Sequence, residues 1–239
     1  RDLSGILNGI DTEKYNPLKD QSLWVNFRSS LEKKGENKLR LQEELGLPVG
    51  KDIPLAVMVT RLVDQKGLDL LAHILPELLT LPLELVILGT GEPRYETILQ
   101  KAEEAWPGKL RALIRYAEGL AHKLYGSGDL LLMPSLFEPC GLSQMIAMAY
   151  GTLPVVRETG GLKDSVIPYN QFTGEGTGFT FANYNAHEFL DAVRRAVGLY
   201  RENPAAWKVL ADNALAQDFS WKKSAGEYMA LYHSLLGGK

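Results

Sequence analysis

Pro134-Ser135-Leu136-Phe137-Glu138-Pro139-Cys140-Gly141-Leu142 joins an apolar run, Leu130–Met133, to a stretch with helical spacing that continues to Tyr150. The reading of this junction decides the fold. A short apolar run closed by a proline reads as a buried strand. Pro139 suits the start of a helix, where its missing N–H costs nothing, and a helix is expected from about Gly141 to Tyr150. Gly141 lets a neighbour come close to the backbone. The unpaired N–H groups of a first helical turn, together with the helix dipole, form a site for an anion. Glu138 lies just before that turn. Two readings of it stand. It caps the helix, or it faces a ligand that sets a neutral, hydroxyl-bearing group between carboxylate and anion, as a sugar joined to a phosphate does.

The same strand-then-helix alternation recurs on either side. Strands are expected over Leu55–Val59, Leu83–Leu88, Leu110–Tyr116, Leu130–Met133, Leu153–Val156 and Phe179–Phe181. Between them lie helical patterns over Gly67–Leu81, Arg94–Trp106, Glu118–Tyr125 and Leu162–Val166. An earlier helix is expected over Asn37–Leu45, stopped by Gly46 and Pro48. Residues after Asn185 read as three helices, His187–Arg201, Ala205–Gln217 and Ser220–Leu236. Short apolar strands alternating with helices predict an α/β fold: a Rossmann-like, doubly wound parallel sheet covered on both faces, with C-terminal helices. Ligands of such sheets bind outside the carboxyl ends of the strands, at the switch point. The Glu138 turn lies at one such end.

Composition narrows the function classes. The 239 residues are 45% apolar and 23% charged, the profile of an ordinary globular protein. A net charge of −3 leaves no footprint for nucleic acid. A single cysteine excludes an internal disulfide and a cysteine-rich zinc site. No apolar run reaches the roughly 18 residues of a membrane span. The first residues carry no signal-peptide pattern and no initiator Met, so the chain is expected to derive from something longer.

Val59-Thr60-Arg61-Leu62-Val63-Asp64-Gln65-Lys66-Gly67 is the next informative stretch. Arg61 follows a strand end and Lys66 opens the next helix. Two cations on one strand-to-helix turn can clamp a diphosphate, each charged hydrogen bond contributing roughly 1.5–3 kcal/mol; two solvated surface charges are the other reading. Gly89-Thr90-Gly91 lacks a dinucleotide fingerprint and reads as a plain turn. Thr159-Gly160-Gly161 reads either as a turn or as a place where a ligand comes close. Cys140 is expected to pack and to line the site, since no neighbouring His would activate it. The four histidines lack ligand spacing and are read as structural. Tyr116, at the expected end of a strand, either stacks on a base or is a sheet-edge aromatic.

Taken in order, Arg61…Gln65-Lys66-Gly67-Leu68-Asp69, Pro134-Ser135…Phe137-Glu138-Pro139-Cys140-Gly141-Leu142, Tyr150-Gly151-Thr152…Pro154 and Thr159-Gly160-Gly161-Leu162…Asp164 resemble the C-terminal half of bacterial glycogen synthases and plant starch synthases. Asn8-Gly9-Ile10-Asp11 is similar to that family's interdomain connector and Asp218-Phe219-Ser220-Trp221 to the start of its final helix. The resemblance spans essentially the whole chain. It implies the C-terminal half of a GT-B architecture, with residues 1–20 as connector, 21–185 as the nucleotide-sugar-binding domain, and 186–239 as helices packing on it and towards a missing N-terminal domain. It implies a retaining transferase that moves glucose from ADP-glucose to the non-reducing end of an α-1,4-glucan, with no metal and no cofactor. In that family's pattern Arg61 and Lys66 match residues holding the donor phosphates, and Glu138 the carboxylate at the donor glucose, needed for catalysis. Cys140, Gly141, Leu142 and Ser143 match the segment at the sugar and phosphates, and Tyr116 the adenine-stacking position. Many other retaining GT-B transferases carry a second Glu where this chain has Ile146. The family's lysine–glycine–glycine motif, a histidine near the donor sugar and much of the acceptor groove belong to the other domain, so this chain alone is expected to bind nucleotide and transfer little glucose. The resemblance implies cytoplasm for a bacterial protein and plastid for a plant one. The competing readings are a stand-alone nucleotide-binding module without activity and an α-glucan phosphorylase-like domain, which would need a lysine-bound pyridoxal for which no motif is present.

Overall fold

The structure, a computed structural model, describes residues 3–236. Among them six parallel strands form one sheet: β1 (Leu55–Val59), β2 (Glu84–Leu88), β3 (Leu110–Leu113), β4 (Leu130–Met133), β5 (Leu153–Arg157) and β6 (Phe179–Phe181), in the order β3-β2-β1-β4-β5-β6. The helices are α1 (Leu31–Leu45), α2 (Leu68–Thr80), α3 (Pro93–Ala105), α4 (Glu118–Ser127), α5 (Ser143–Ala149), α6 (Gly160–Ser165), α7 (Ala186–Glu202), α8 (Pro204–Leu215) and α9 (Trp221–Leu236). The chain builds outward from β1 to β3, then returns to lay β4 against the free side of β1. That reversal is the switch point at which carboxyl-end loops diverge and leave a crevice.

The strands are continuous apolar runs because both faces of the sheet are covered. Ala56 and Met58 of β1 point into a core shared with Leu71 and Ile74 of α2 and Val193 of α7. Leu55 and Val57 point the other way, into a core shared with Leu41 of α1, Leu124 of α4 and Met145 of α5. A doubly wound sheet is thus what the sequence pattern predicts and what forms.

Among the boundaries that differ from expectation, three have a local cause. The first helix starts at Leu31, not Asn37, because Ser30 caps it by accepting a hydrogen bond from the Lys33 N–H. The third strand ends at Leu113, short of Tyr116. It is an edge strand whose sole partner, β2, ends at Leu88, and the final ladder bond runs from Gly89 N–H to Leu113 O. The helix after β4 starts at Ser143, which leaves Pro139 in the loop rather than in a first turn. Residues 3–20 form no strand; Ile10 makes one isolated bridge, to Ser220.

The segment before α1 is fastened by a buried polar cluster. Asp20 accepts from the Tyr150 hydroxyl at 2.5 Å and meets His122 Nδ1 at 2.7 Å, while Tyr15 stacks on the His122 ring with centroids 4.9 Å apart. His122 is structural, as read from the sequence. Burial opposes ionisation of Asp20, but hydrogen bonds from Tyr150 and His122 outweigh it and hold the carboxyl below its ordinary value. A depressed folded-state pKa stabilises the fold in full above the unfolded value and loses that contribution as pH falls through the folded value. Asp20→Asn is therefore expected to cost about 1–3 kcal/mol at neutral pH. Its stability should also fall less steeply than the parent's in the acid range, which denaturant titrations at both pH values would check.

Candidate active site

Two loops meet across the switch point. The first leaves β1 and runs through Arg61 and a single 3-10 turn, Asp64–Lys66, to Gly67. The second leaves β4 through Pro134 and Glu138. Gly67 has φ +75°, and a methyl there would lie 2.2 Å from the Pro134 carbonyl oxygen, so only glycine admits the crossing. The Leu136 N–H donates to the Gln65 carbonyl at 2.9 Å. This contact brings Lys66 Nζ to 2.5 Å from Glu138 Oε2, with the two side chains 17% and 11% exposed. Ser135 Oγ lies 3.4 Å from the same carboxylate oxygen. Glu138 therefore does not cap the following helix: its carboxylate faces Lys66, and the residue before α5, Leu142, offers no side-chain cap.

The Glu138 loop is held from behind by the Gly160-Gly161 turn and by two residues the sequence reading passed over, Gln144 and Arg157. The Gly161 N–H donates to Glu138 O at 3.0 Å. Methyl groups at Gly160 and Gly161 would lie 2.1 Å from Glu138 O and 2.0 Å from Cys140 O. What these glycines admit is this loop's own backbone, which decides between the two readings of Thr159-Gly160-Gly161. Gln144, fully buried, shares the two N–H groups of Nε2 among the carbonyls of Cys140 and Gly141 and Ser165 Oγ, all within 3.2 Å. Arg157, at the end of β5, donates from Nε to Ser135 O at 3.0 Å and from a terminal nitrogen to Leu136 O. A glutamine directly before the apolar run Met145–Ala149 and an arginine at a strand end were the available signals.

At the carboxyl ends of β1, β2 and β3 lies a cavity of about 290 Å³ lined by Arg61, Gly89, Thr90, Tyr116, His122 and Tyr15, among others, but by neither Lys66 nor Glu138. Tyr116 is 86% exposed, so its ring is open to stacking. Arg61 is exposed and touches only Gln65 Oε1, at 3.4 Å, among the described side chains, which leaves most of its guanidinium donors unused. Gly89 and Gly91 are close-approach positions, with methyl groups placed 1.8 Å from Thr60 O and 2.2 Å from Leu62 O, in keeping with a structural turn. The fold thus gathers Lys66 and Glu138 into one contact and Arg61 and Tyr116 into one cavity. Cys140 is a half-buried free thiol, Gly141 has φ +73°, Leu142 is exposed and Ser143 opens α5. Among the described residues no group of three His, Cys, Asp or Glu side chains is spaced to hold a metal ion, and no helix is long and apolar enough to cross a membrane. An exposed cation and a paired one after β1, a carboxylate after β4 and an open aromatic ring suit a ligand with an aromatic base, a charged linker and a polyhydroxyl end.

A family model described as glycosyl transferases group 1 matches residues 42–209. A glycogen synthase from Exiguobacterium sibiricum is 54% identical over 233 residues, covering 97% of this chain and 48% of that protein. A glycogen synthase from Desulfitobacterium hafniense is 50% identical, covering 98% of this chain and 47% of that protein. The solved catalytic domain of starch synthase IV from Arabidopsis thaliana, bound to ADP and acarbose, superposes with a TM-score of 0.89 at 39% identity, over 96% of this chain and 48% of that one. The chain spans about half the length of the curated relatives it matches.

Gly161→Ala should drive the Cys140 carbonyl aside and loosen the Lys66–Glu138 contact, lowering stability by about 1–3 kcal/mol. Gly198→Ala, in α7 with open space around it, should instead raise stability by about 0.5–1 kcal/mol. Equilibrium unfolding of the two variants beside the parent checks both signs.

Proposed function

This chain belongs to the group 1 glycosyl transferases, and from that premise we propose that it is the donor-binding half of a glycogen or starch synthase. The whole enzyme would transfer glucose from ADP-glucose to the non-reducing end of an α-1,4-glucan with retention. The observation that carries this reading is the Lys66–Glu138 contact across the switch point, with Arg61 and Tyr116 in the cavity at the carboxyl ends of β1, β2 and β3.

Each residue then has a task. Arg61 grips the diphosphate through its planar fork, and Lys66 adds a point charge. Cleavage of the glycosidic bond leaves an ADP anion and an oxocarbenium-like sugar. Two fixed cations stabilise the charge on the leaving group without reorganising at the moment of reaction. Glu138, held on Lys66 in the free protein, binds sugar hydroxyls once Lys66 shares its charge with the phosphates. Its own charge favours the cationic carbon. Gly141 and Leu142 bring the backbone up to the sugar, the Ser143 end of α5 faces the phosphates, and Cys140 lines that wall. Tyr116 stacks on adenine. No metal or cofactor has a role in this scheme.

Residues 1–20 act as the connector, 21–185 as the nucleotide-sugar-binding domain, and the helices of 186–239 bridge to the other half. The exposed apolar face of α9, with Trp221, Tyr228, Met229 and Tyr232, fits such a contact, since Ser224 is the only buried residue described on that helix. The bacterial relatives favour cytoplasm over plastid. The acceptor glucan would be held largely by the other half.

Calorimetric titration of the chain with ADP and with UDP tests the reading. Saturable ADP binding, weaker for UDP and reduced about tenfold to a hundredfold in Arg61→Ala, is expected; absence of nucleotide binding in the parent chain would overturn it. When an N-terminal half is supplied, glucan elongation should appear. Glu138→Gln should abolish that elongation while ADP binding persists, and a variant that elongates at the parent rate removes the catalytic role of Glu138.

A further inference from the structure

A second cavity, of about 280 Å³, opens at the opposite edge of the sheet, beneath the amino ends of β1 and β4. Asp129, the residue before β4, accepts there from the Leu55 N–H at 2.8 Å and from Lys38 Nζ at 2.7 Å, so its charge is already matched. Lys38 also donates to Tyr200 and to the Lys51 carbonyl. Lys34, one helical turn before Lys38 on α1, is 4% exposed and donates to Thr152 Oγ1 at 2.7 Å and to Tyr125 O at 3.2 Å. An ammonium carries three N–H groups; two are met by these oxygens, and Nζ also lies 5.9 Å from the centroid of the Phe27 ring. Ser127, fully buried and lining the same cavity, has a hydroxyl with no hydrogen-bond partner.

Buried polar groups left unpaired are uncommon, and each calls for a partner. Here one such group, the Ser127 hydroxyl, and a buried ammonium with one N–H beyond its two oxygen partners border one space large enough for several waters at about 30 Å³ each. Three lysines and three carboxylates line it, of which Lys34, Lys38 and Asp129 are buried and Lys51, Glu32 and Asp52 are exposed. Among the buried charges Asp129 pairs with Lys38, so Lys34 is the one without a carboxylate partner among the described residues. We propose that this cavity binds a small oxyanion of the phosphate class, with Lys34 and Ser127 as its principal ligands. The free state fits this. Burial pushes the Lys34 amine down to about 7, Asp129 opposing that shift and Lys38 adding to it. A bound anion supplies the missing counter-charge. The site lies at the other end of the strands from Glu138 and does not depend on the glucosyl-transfer reading.

Inorganic phosphate, titrated calorimetrically into the chain with ADP already present at saturation, is the probe. One saturable phosphate site is expected, unchanged in Arg61→Ala, weakened about three- to tenfold in Ser127→Ala and about tenfold or more in Lys34→Met. Ser127→Ala removes one oxygen and carries the test should Lys34→Met fail to fold. No saturable phosphate binding, meaning that water alone fills the cavity, overturns the proposal. So does binding that is equally strong in Ser127→Ala, or that is lost in Arg61→Ala and kept in the two cavity variants, which would locate phosphate at the nucleotide site. If ADP does not bind at all, the same comparison of variants run without it still tests this cavity while the donor-site reading fails on its own.

Discussion

The contact between Lys66 and Glu138 ties the two halves of the sheet together where they part. A cation and a carboxylate this close and this shielded attract each other more strongly than a surface pair, yet each has given up much of its hydration to be there. Removing one partner leaves the other buried and uncompensated, so the pair constrains both loops at once. It also keeps two reactive charges quiet in the free protein. A ligand that brings its own anion and its own hydroxyls can divide the pair, replacing one interaction by two of the same kind.

The pair depends on how closely backbone can approach backbone. Gly67 lets Pro134 pass, and Gly160 and Gly161 let the Glu138–Cys140 carbonyls settle onto the start of α6. Buried donors complete the frame, Gln144 and Arg157 satisfying loop carbonyls that would otherwise be stranded away from water. The geometry at Glu138 is thus set by residues with no part in the chemistry, and loss of a cradle residue displaces the carboxylate as surely as its own replacement removes it.

Much of this was legible in the chain, for reasons that differ from place to place. Strands such as Leu55–Val59 and Leu130–Met133 are apolar on both faces and bounded by turn residues, so period and length define them. The end of β3 was not legible, because it depends on where β2 stops rather than on Ile114 or Arg115. Pro139 misled by its general preference for first turns, which here yields to the loop that Gly160 and Gly161 hold in place. That Lys66 and Glu138 come together at the carboxyl ends of the strands followed from their strand ends and from family resemblance. That they touch each other is a long-range fact, invisible to local pattern. Gln144 and Arg157 were unreadable for the same cause: their partners are carbonyls, which every residue has.

The last helix carries a different consequence. With Ser224 its only buried residue among those described, and Ile10–Ser220 the bridge that anchors its start, α9 has little tertiary free energy to resist opening. Its amides should then exchange with solvent deuterium on the timescale of an isolated helix, while those of β1 and β4 wait for global unfolding. Protection along α9 is therefore a built-in gauge of whether its aromatic face has found a partner, readable without following any reaction.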